Sequence, residues 1–131
     1  MLPVIIVPFM HNDEQNRDEH LSTFVSVFQY TGMPCIVVCQ NRTGESIAPT
    51  RVPELFNRGL MLNVGIALAQ QAYPGTYVIT HDVDLIPDVT VLGKYTQTHI
   101  PCHHLASCWE RYMTPRYKDR YVGGVLGLDD K

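Results

Sequence analysis

The sequence predicts an α/β fold in which helices cover both faces of a mostly parallel sheet. Two short β-branched runs, residues 3–7 and 35–39, lack polar alternation, as is typical of strands buried on both sides. Segments with helical spacing follow each run, and such alternation favours right-handed crossovers between parallel strands. The length of 131 residues predicts one domain, residues 1–131.

The first predicted helix begins near Asp18 and ends before Gly32 and Pro34. Its apolar residues recur at i, i+3, i+4 and i+7: Leu21, Phe24, Val25 and Phe28. Residues 40–53 are predicted to form a loop. A third strand is expected at 77–80, and weaker strand patterns lie at 105–109 and 121–126, with a loop at 111–120 between them.

A second helix is predicted over residues 57–72, which are rich in good helix formers and precede Pro74 and Gly75. We expect its buried side to be Leu60, Val64, Ala67 and Leu68. Gly65 weakens a helix in isolation, so its presence indicates close packing of this helix on a neighbour.

Composition narrows the class of protein. The net charge of -3 gives no reason to expect nucleic-acid binding. The early apolar run, residues 2–9, is too short to span a membrane and no basic residue precedes it. The chain as given is expected to be cytoplasmic, or to be part of a longer protein of the Golgi or secretory lumen.

Four cysteines are present: Cys35, Cys39, Cys102 and Cys108. Their spacing is not that of a zinc finger or ribbon. We expect buried free thiols rather than a zinc site.

Two acids, Asp82 and Asp84, follow the third predicted strand in the sequence HDVD. If the first and third strands are parallel, these acids emerge at the sheet edge where open α/β folds bind ligands. On extended backbone both carboxylates point to one side and repel each other unless a cation joins them. Mg²⁺ or Mn²⁺ would then connect the acids to a diphosphate. His81, His103 and His104 are candidate further ligands, although a core or surface role is the default expectation for each.

Acidic pairs of this kind also arise for purely structural reasons. Helix capping and turn formation account for many D-x-D sequences. The apolar residues Val83 and Leu85 predict an anchored rather than a solvated loop, which favours a site. A phosphotransferase of the haloacid-dehalogenase type would need Ser or Thr where this chain has Ile86.

Four blocks of sequence carry a family resemblance: VIIVPF with NRDEHL, then LFNRGLMLNVG, then HDVDLIP, then YVGGV. In this order and at these intervals, from Val4 to Val125, they resemble the catalytic domain of the β-1,4-galactosyltransferase family. The resemblance implies a GT-A-like, Rossmann-like fold, a Mn²⁺ or Mg²⁺ cofactor, and a UDP-sugar donor, either UDP-galactose or a UDP-hexosamine. It also implies transfer of a hexose to a glycan acceptor.

The resemblance further implies a set of donor-site residues. The residues that match the family's nucleotide contacts are Pro8, Phe9, Arg17, Phe56 and Arg58. Asp84 would bind the metal, with Asp82 beside it on the metal or the donor, and Val83 would line the site. Arg111 would contact the diphosphate, and Tyr121 would lie near the transferred sugar.

The chain departs from the family's pattern in two places. Met10 follows Pro-Phe where the family has arginine, and MHNDEQ separates that pair from Arg17. After YVGGV the family continues into a segment with acceptor contacts and the catalytic base, whereas this chain has only LGLDDK. We therefore expect a GT-A-like domain truncated at its C-terminal end, and the catalytic base is unknown. The alternatives are a non-catalytic nucleotide-sugar-binding domain and an enzyme completed by another subunit.

A partial domain would expose a sheet edge and a hydrophobic face. We therefore expect the purified chain to self-associate or to be poorly soluble. Light scattering after size exclusion should detect assemblies larger than the monomer. A monodisperse monomeric peak would contradict this expectation.

Overall fold

The structure is a computed structural model that describes residues 2–10, 17–40, 56–96, 102–104 and 125–128. Its strands are β1 (Val4–Phe9), β2 (Cys35–Cys39), β3 (Val78–His81), β4 (Cys102–His104) and β5 (Val125–Leu128). They form one sheet with the order β2-β1-β3-β5-β4. β1 is parallel to β2 and β3, whereas β5 is antiparallel to β3 and β4. Within this sheet β5 alone runs against the others, so the predicted mostly parallel α/β class is confirmed.

Helices cover both faces of the sheet: α1 (Arg17–Gln29), α2 (Arg58–Ala72) and the short α3 (Val89–Lys94). On one face, β1 and α1 pack through Ile5, Val7, Phe9, Phe24 and Phe28. On the other face, β1 and α2 pack through Val4, Ile6, Met61 and Ala69. Because side chains alternate between the faces of a strand, all six residues of β1 are buried. Each large apolar side chain so buried contributes about 1.5–3 kcal/mol.

The first three strands lie close to their predicted positions. β2 has the predicted bounds, and β3 lies one residue later than predicted because His81 pairs with Val125 of β5. β1 continues past its predicted end through Pro8 to Phe9. Pairing between β1 and β3 extends only to Ile6 in the described sheet, so Pro8, which has no N–H to donate, lies beyond that ladder.

The last two strands differ more from prediction. β4 lies before residues 105–109, which are outside the described residues, and β5 continues two residues beyond the predicted 121–126. Gly127 concealed this continuation because glycine is rare in strands. In the fold a side chain is excluded there, since a Cβ at Gly127 would overlap the ring of Tyr77.

The exposure of the two thiols of β2 reflects the position of that strand at the edge of the sheet. Cys35 is half-buried and Cys39 is exposed, and both are free. Burial raises the pKa of the Cys35 thiol to about 11. The expectation of buried thiols is therefore wrong for Cys39, because a terminal strand has only one neighbour to cover it.

α1 starts and stops close to the predicted residues. Phe24 and Phe28 are buried as expected, whereas Val25 is 38% exposed, so the apolar face is narrower than predicted. Beyond the helix Gly32 has a φ of 74°, a left-handed conformation that suits glycine at a helix end.

α2 has close to the predicted bounds but packs through a different side. The residues predicted to be buried are exposed: Leu60, Val64, Ala67 and Leu68. The buried residues are Met61, Gly65 and Ala69. The small residues allow close approach to the sheet, and a Cβ at Gly65 would overlap Ile6, as the predicted close packing requires. The positions of the large apolar residues alone therefore predicted the wrong face of α2 to be buried. The exposed stripe offers a surface for self-association, which stays a prediction.

Gly65→Ala should lower the free energy of unfolding by about 1–3 kcal/mol, because the new methyl group must displace side chains of β1 and β2. Gly59→Ala is the matched control in the same helix. A Cβ there has no neighbour closer than 3.9 Å, so helix propensity should leave stability unchanged or raise it by up to about 1 kcal/mol. Urea denaturation measures both, and equal effects of the two substitutions would contradict the packing argument.

Candidate functional site

The carboxyl ends of the three parallel strands lie at one edge of the sheet. β1, β2 and β3 end at Phe9, Cys39 and His81, and both α1 and α2 begin on this side because each follows one of these strands. Gln40 joins two of these segments. Its N–H donates to the carbonyl of Phe9 at 2.9 Å, and its side-chain oxygen accepts from the N–H of Asn57 at 2.8 Å.

The start of α2 is fixed at this edge by Asn57. Its side-chain oxygen accepts from the N–H of Leu60 at 3.0 Å, which satisfies one of the free amides of the first turn. Arg58, the first residue of α2, is thereby held next to the loop that follows β3.

The two acids lie in a turn rather than on extended backbone. The chain turns at Val83 and Asp84, and the N–H of Leu85 donates to the carbonyl of Asp82 at 3.3 Å. The expectation that extended geometry directs both carboxylates to one side is therefore wrong in its premise. Val83 is 2% exposed and Leu85 packs on the same core, so the predicted anchored loop is confirmed.

Each acid faces an arginine from a different helix. Arg58 donates to Oδ1 of Asp82 from Nη2 at 2.9 Å and from Nε at 3.3 Å. Nη1 of Arg17 lies 3.8 Å from Oδ2 of Asp84. The side chains are 29–44% exposed, so each pair is worth about 0–1 kcal/mol in stability. These contacts gather charges from three separate segments without contributing much to folding.

Beneath the acidic turn lies a histidine that solvent does not reach. His81 is 0% exposed, and its ring packs edge-on against Phe24 and Phe28 at centroid distances of 4.8 and 5.6 Å. Nδ1 lies 2.8 Å from the carbonyl oxygen of Asp82, and Nε2 lies 2.8 Å from the hydroxyl of Tyr95. Burial lowers the pKa of His81 to about 4, outweighing the opposing effects of the Asp82 carbonyl and the Asp84 charge. His81 is thus a core residue, as expected by default, with both ring nitrogens hydrogen-bonded within the chain.

Carboxylate oxygens are the donors that Mg²⁺ and Mn²⁺ prefer, so Asp82 and Asp84 fit such a cation in kind. They do not complete a site by themselves. In the described parts of the chain there is no cluster of three or more His, Cys, Asp or Glu residues able to hold a metal ion. Asp84, with 44% of its side chain exposed, is the more accessible of the two.

Known proteins resemble the chain in sequence, although no protein-family model matches it. Over 130 residues it is 29% identical to human β-1,4-galactosyltransferase 1, a match that covers 95% of this chain and 28% of that protein. Over 73 residues it is 36% identical to β-1,4-galactosyltransferase 7 of Drosophila melanogaster, covering 54% of this chain and 21% of the relative.

A solved structure agrees with these matches. It shows a variant of Drosophila β-1,4-galactosyltransferase 7 in complex with manganese, UDP-Gal and xylobiose, and it matches 98% of this chain with a TM-score of 0.60 and 25% identity. The chain is related to the β-1,4-galactosyltransferases. The GT-A-like fold is thereby confirmed. The chain spans 49% of the solved protein and less than a third of the curated relatives.

Of the donor-site residues implied by the likeness to the galactosyltransferases, the structure brings four together: Arg17, Arg58, Asp82 and Asp84. Phe56 precedes α2 and is 38% exposed. The contacts of these five residues with a nucleotide stay predictions.

The remaining implied residues are either buried or not described. Pro8, Phe9 and Val83 are buried, and the side chains of Phe9 and Val83 belong to the core, so a ligand at the edge would meet their backbone. Arg111 and Tyr121 lie outside the described residues, as does the loop predicted at 111–120. No described helix has the length and apolar character that crossing a bilayer requires.

Two residues that shape this edge, Gln40 and Tyr95, are not among the site residues predicted from the sequence. Gln40 falls at the start of a predicted loop, although its position directly after a strand that ends at this edge could have indicated a role. Tyr95 gave no local signal, because its contact with His81 is made by the tertiary fold.

The buried imidazole predicts a pH-dependent stability. In the unfolded chain His81 should titrate near 6.5, but in the fold its pKa is about 4. Between these values the unfolded state binds more protons. The contribution of neutral His81 to the free energy of unfolding is therefore fully present above pH 6.5. About 3 kcal/mol of it is lost as the pH falls to 4. Urea denaturation of the wild type and of His81→Asn across this range should show the stability difference between them shifting by that amount. Parallel pH profiles would count against it.

Proposed function

We propose that this chain binds a UDP-sugar through a divalent cation and forms the donor-binding part of a hexosyltransferase that acts on a glycan acceptor. The observation that carries the proposal is the meeting of Arg17, Arg58, Asp82 and Asp84 at the carboxyl edge of a GT-A-like sheet. The manganese and UDP-Gal bound by the Drosophila relative support Mn²⁺ as the cation and favour UDP-galactose over a UDP-hexosamine.

The two acids differ in exposure and in the distance to their arginines, so we assign them different roles. Asp84 is more exposed than Asp82, and its arginine lies 3.8 Å away, so we assign it as the principal metal ligand. Asp82 is bound closely by Arg58 and is assigned to the donor or to a second metal contact. The metal, when bound, would neutralise charge on the diphosphate.

The two arginines and the start of α2 supply the remaining positive potential. Helix N-termini favour anions because their first amides have no partner within the helix, and α2 begins at this edge with no acidic residue in its first turn. Arg17 would contact the diphosphate, whose negative charge grows as the sugar leaves. Phe56, exposed beside Arg58, offers an apolar surface for the uracil ring. Pro8, Phe9, Val83, Arg111 and Tyr121 complete the proposed donor site.

Donor binding without transfer is the second candidate. Both acids at this edge face arginines, so neither is set as a general base among the described residues. An assay of UDP release in the presence of an acceptor separates transfer from binding. Retained UDP binding without release of UDP from UDP-galactose in the presence of xylobiose would favour this second candidate.

Calorimetric titration of UDP, with and without MnCl₂, tests the donor site. We expect Mn²⁺-dependent binding that weakens at least about tenfold in Asp84→Asn, which removes one charged ligand and so costs about 1.4 kcal/mol or more. Glu19→Gln is the matched control, because Glu19 is an exposed carboxylate in the first turn of α1. A folded wild type that binds no UDP, or equal effects of the two substitutions, would contradict the proposal.

A further inference from the structure

The acidic turn is supported from inside the core by hydrogen bonds whose direction is fixed. A backbone carbonyl can only accept, so Nδ1 of His81 must carry the proton that lies between it and the oxygen of Asp82, 2.8 Å away. Nε2 of the neutral ring is then an acceptor, and the hydroxyl of Tyr95 donates to it at 2.8 Å. The carbonyl of Asp82 therefore selects the tautomer that holds the turn, and the hydroxyl of Tyr95, which can donate or accept, matches it at the other ring nitrogen.

This support is enclosed by aromatic side chains from two helices. The ring of His81 lies among Phe24, Phe28 and Tyr95, with Phe24 and Phe28 themselves 4.6 Å apart. Tyr95 directly follows α3, whose start is fixed by a bond from the N–H of Val91 to the side chain of Asp88 at 2.8 Å. The imidazole thus connects α1, β3 and α3 to a single carbonyl.

That carbonyl belongs to the turn that presents both acids. The oxygen of Asp82 accepts from His81 and also from the N–H of Leu85, the bond that closes the turn. The side chain of the same residue is bound by Arg58. Asp82 is therefore fixed through its backbone from the core and through its carboxylate from α2.

We infer that His81, hydrogen-bonded to Tyr95 through its other ring nitrogen, is a positioning residue that sets the orientation of Asp82 and Asp84 for the cation and the diphosphate. The predicted effect on cation and nucleotide binding rests on the proposed function. The hydrogen bond by which His81 holds the turn at Asp82 is independent of that function.

Two variants separate positioning from mere packing. His81→Asn keeps an amide donor near the position of Nδ1 but leaves a void in the core, so it should lose stability and retain most of its UDP affinity. The double variant His81→Leu with Tyr95→Phe replaces both buried partners by apolar groups, a change that can be nearly neutral for stability. It removes the donor to Asp82, so its UDP affinity in MnCl₂ should fall about 10- to 100-fold, as for other supports of metal ligands.

Thermal denaturation, calorimetry with UDP and Mn²⁺, and amide hydrogen exchange without ligand give the three readouts. The inference predicts faster exchange at Leu85 in the double variant than in His81→Asn, and an Nδ1-protonated ring in the nitrogen NMR spectrum of the wild type. Affinity that follows thermal stability across the variants would overturn it, as would an Nε2-protonated ring. If the wild type binds no UDP, the proposed function fails, and hydrogen exchange at Leu85 still decides whether His81 holds the turn.

Discussion

The burial of β1 on both faces is the constraint on which the rest of the structure depends. A strand covered on one side by α1 and on the other by α2 must be apolar throughout, and VIIVPF meets that requirement. With β1 between two parallel strands, the chain must return after each one to the same starting edge. The three strand ends and the starts of two helices consequently meet on the opposite edge. The packing of the core therefore determines which residues meet at that edge, where a ligand could bind.

The charged residues at the edge contribute to geometry far more than to stability. The pairs Arg17 with Asp84 and Arg58 with Asp82 are part-exposed, and pairs of this kind contribute little to folding. The turn that carries the acids is instead held by apolar anchors and by the hydrogen bond from His81. Such a division is physically sensible, because weak surface pairs can rearrange around a ligand while the backbone beneath them stays in place.

Most of the fold could be predicted from the sequence because its central elements carry strong local patterns. The continuous apolar runs of β1 and β2 and the bounds of α2 are examples. The buried face of α2 could not be predicted from hydrophobicity, since Gly65 packs there through its lack of a side chain and the larger Leu60 and Leu68 remain exposed. Continuation of β5 through Gly127 was hidden for the same reason.

The candidate site could be located from the sequence, but its geometry could not. D-x-D after a buried strand indicated the edge correctly, because the direction of parallel strands determines where their ends lie. The turn at Val83 and the pairing of each acid with its own arginine depend on contacts between segments far apart in the chain. The bond between His81 and Tyr95 is of the same kind, so no local pattern could reveal it.

Under the proposed function, the charge balance at this edge couples the cation to the nucleotide. Two carboxylates face two arginines, and a divalent cation bound to Asp84 alone would lie close to Arg17 and displace it. A diphosphate that arrives with the cation supplies a new anionic partner for the displaced guanidinium. Since coupling between two ligands is reciprocal, each would strengthen the binding of the other. Acids and arginines drawn from separate segments therefore act as one unit, in which neither the metal nor the nucleotide has a complete site without the other.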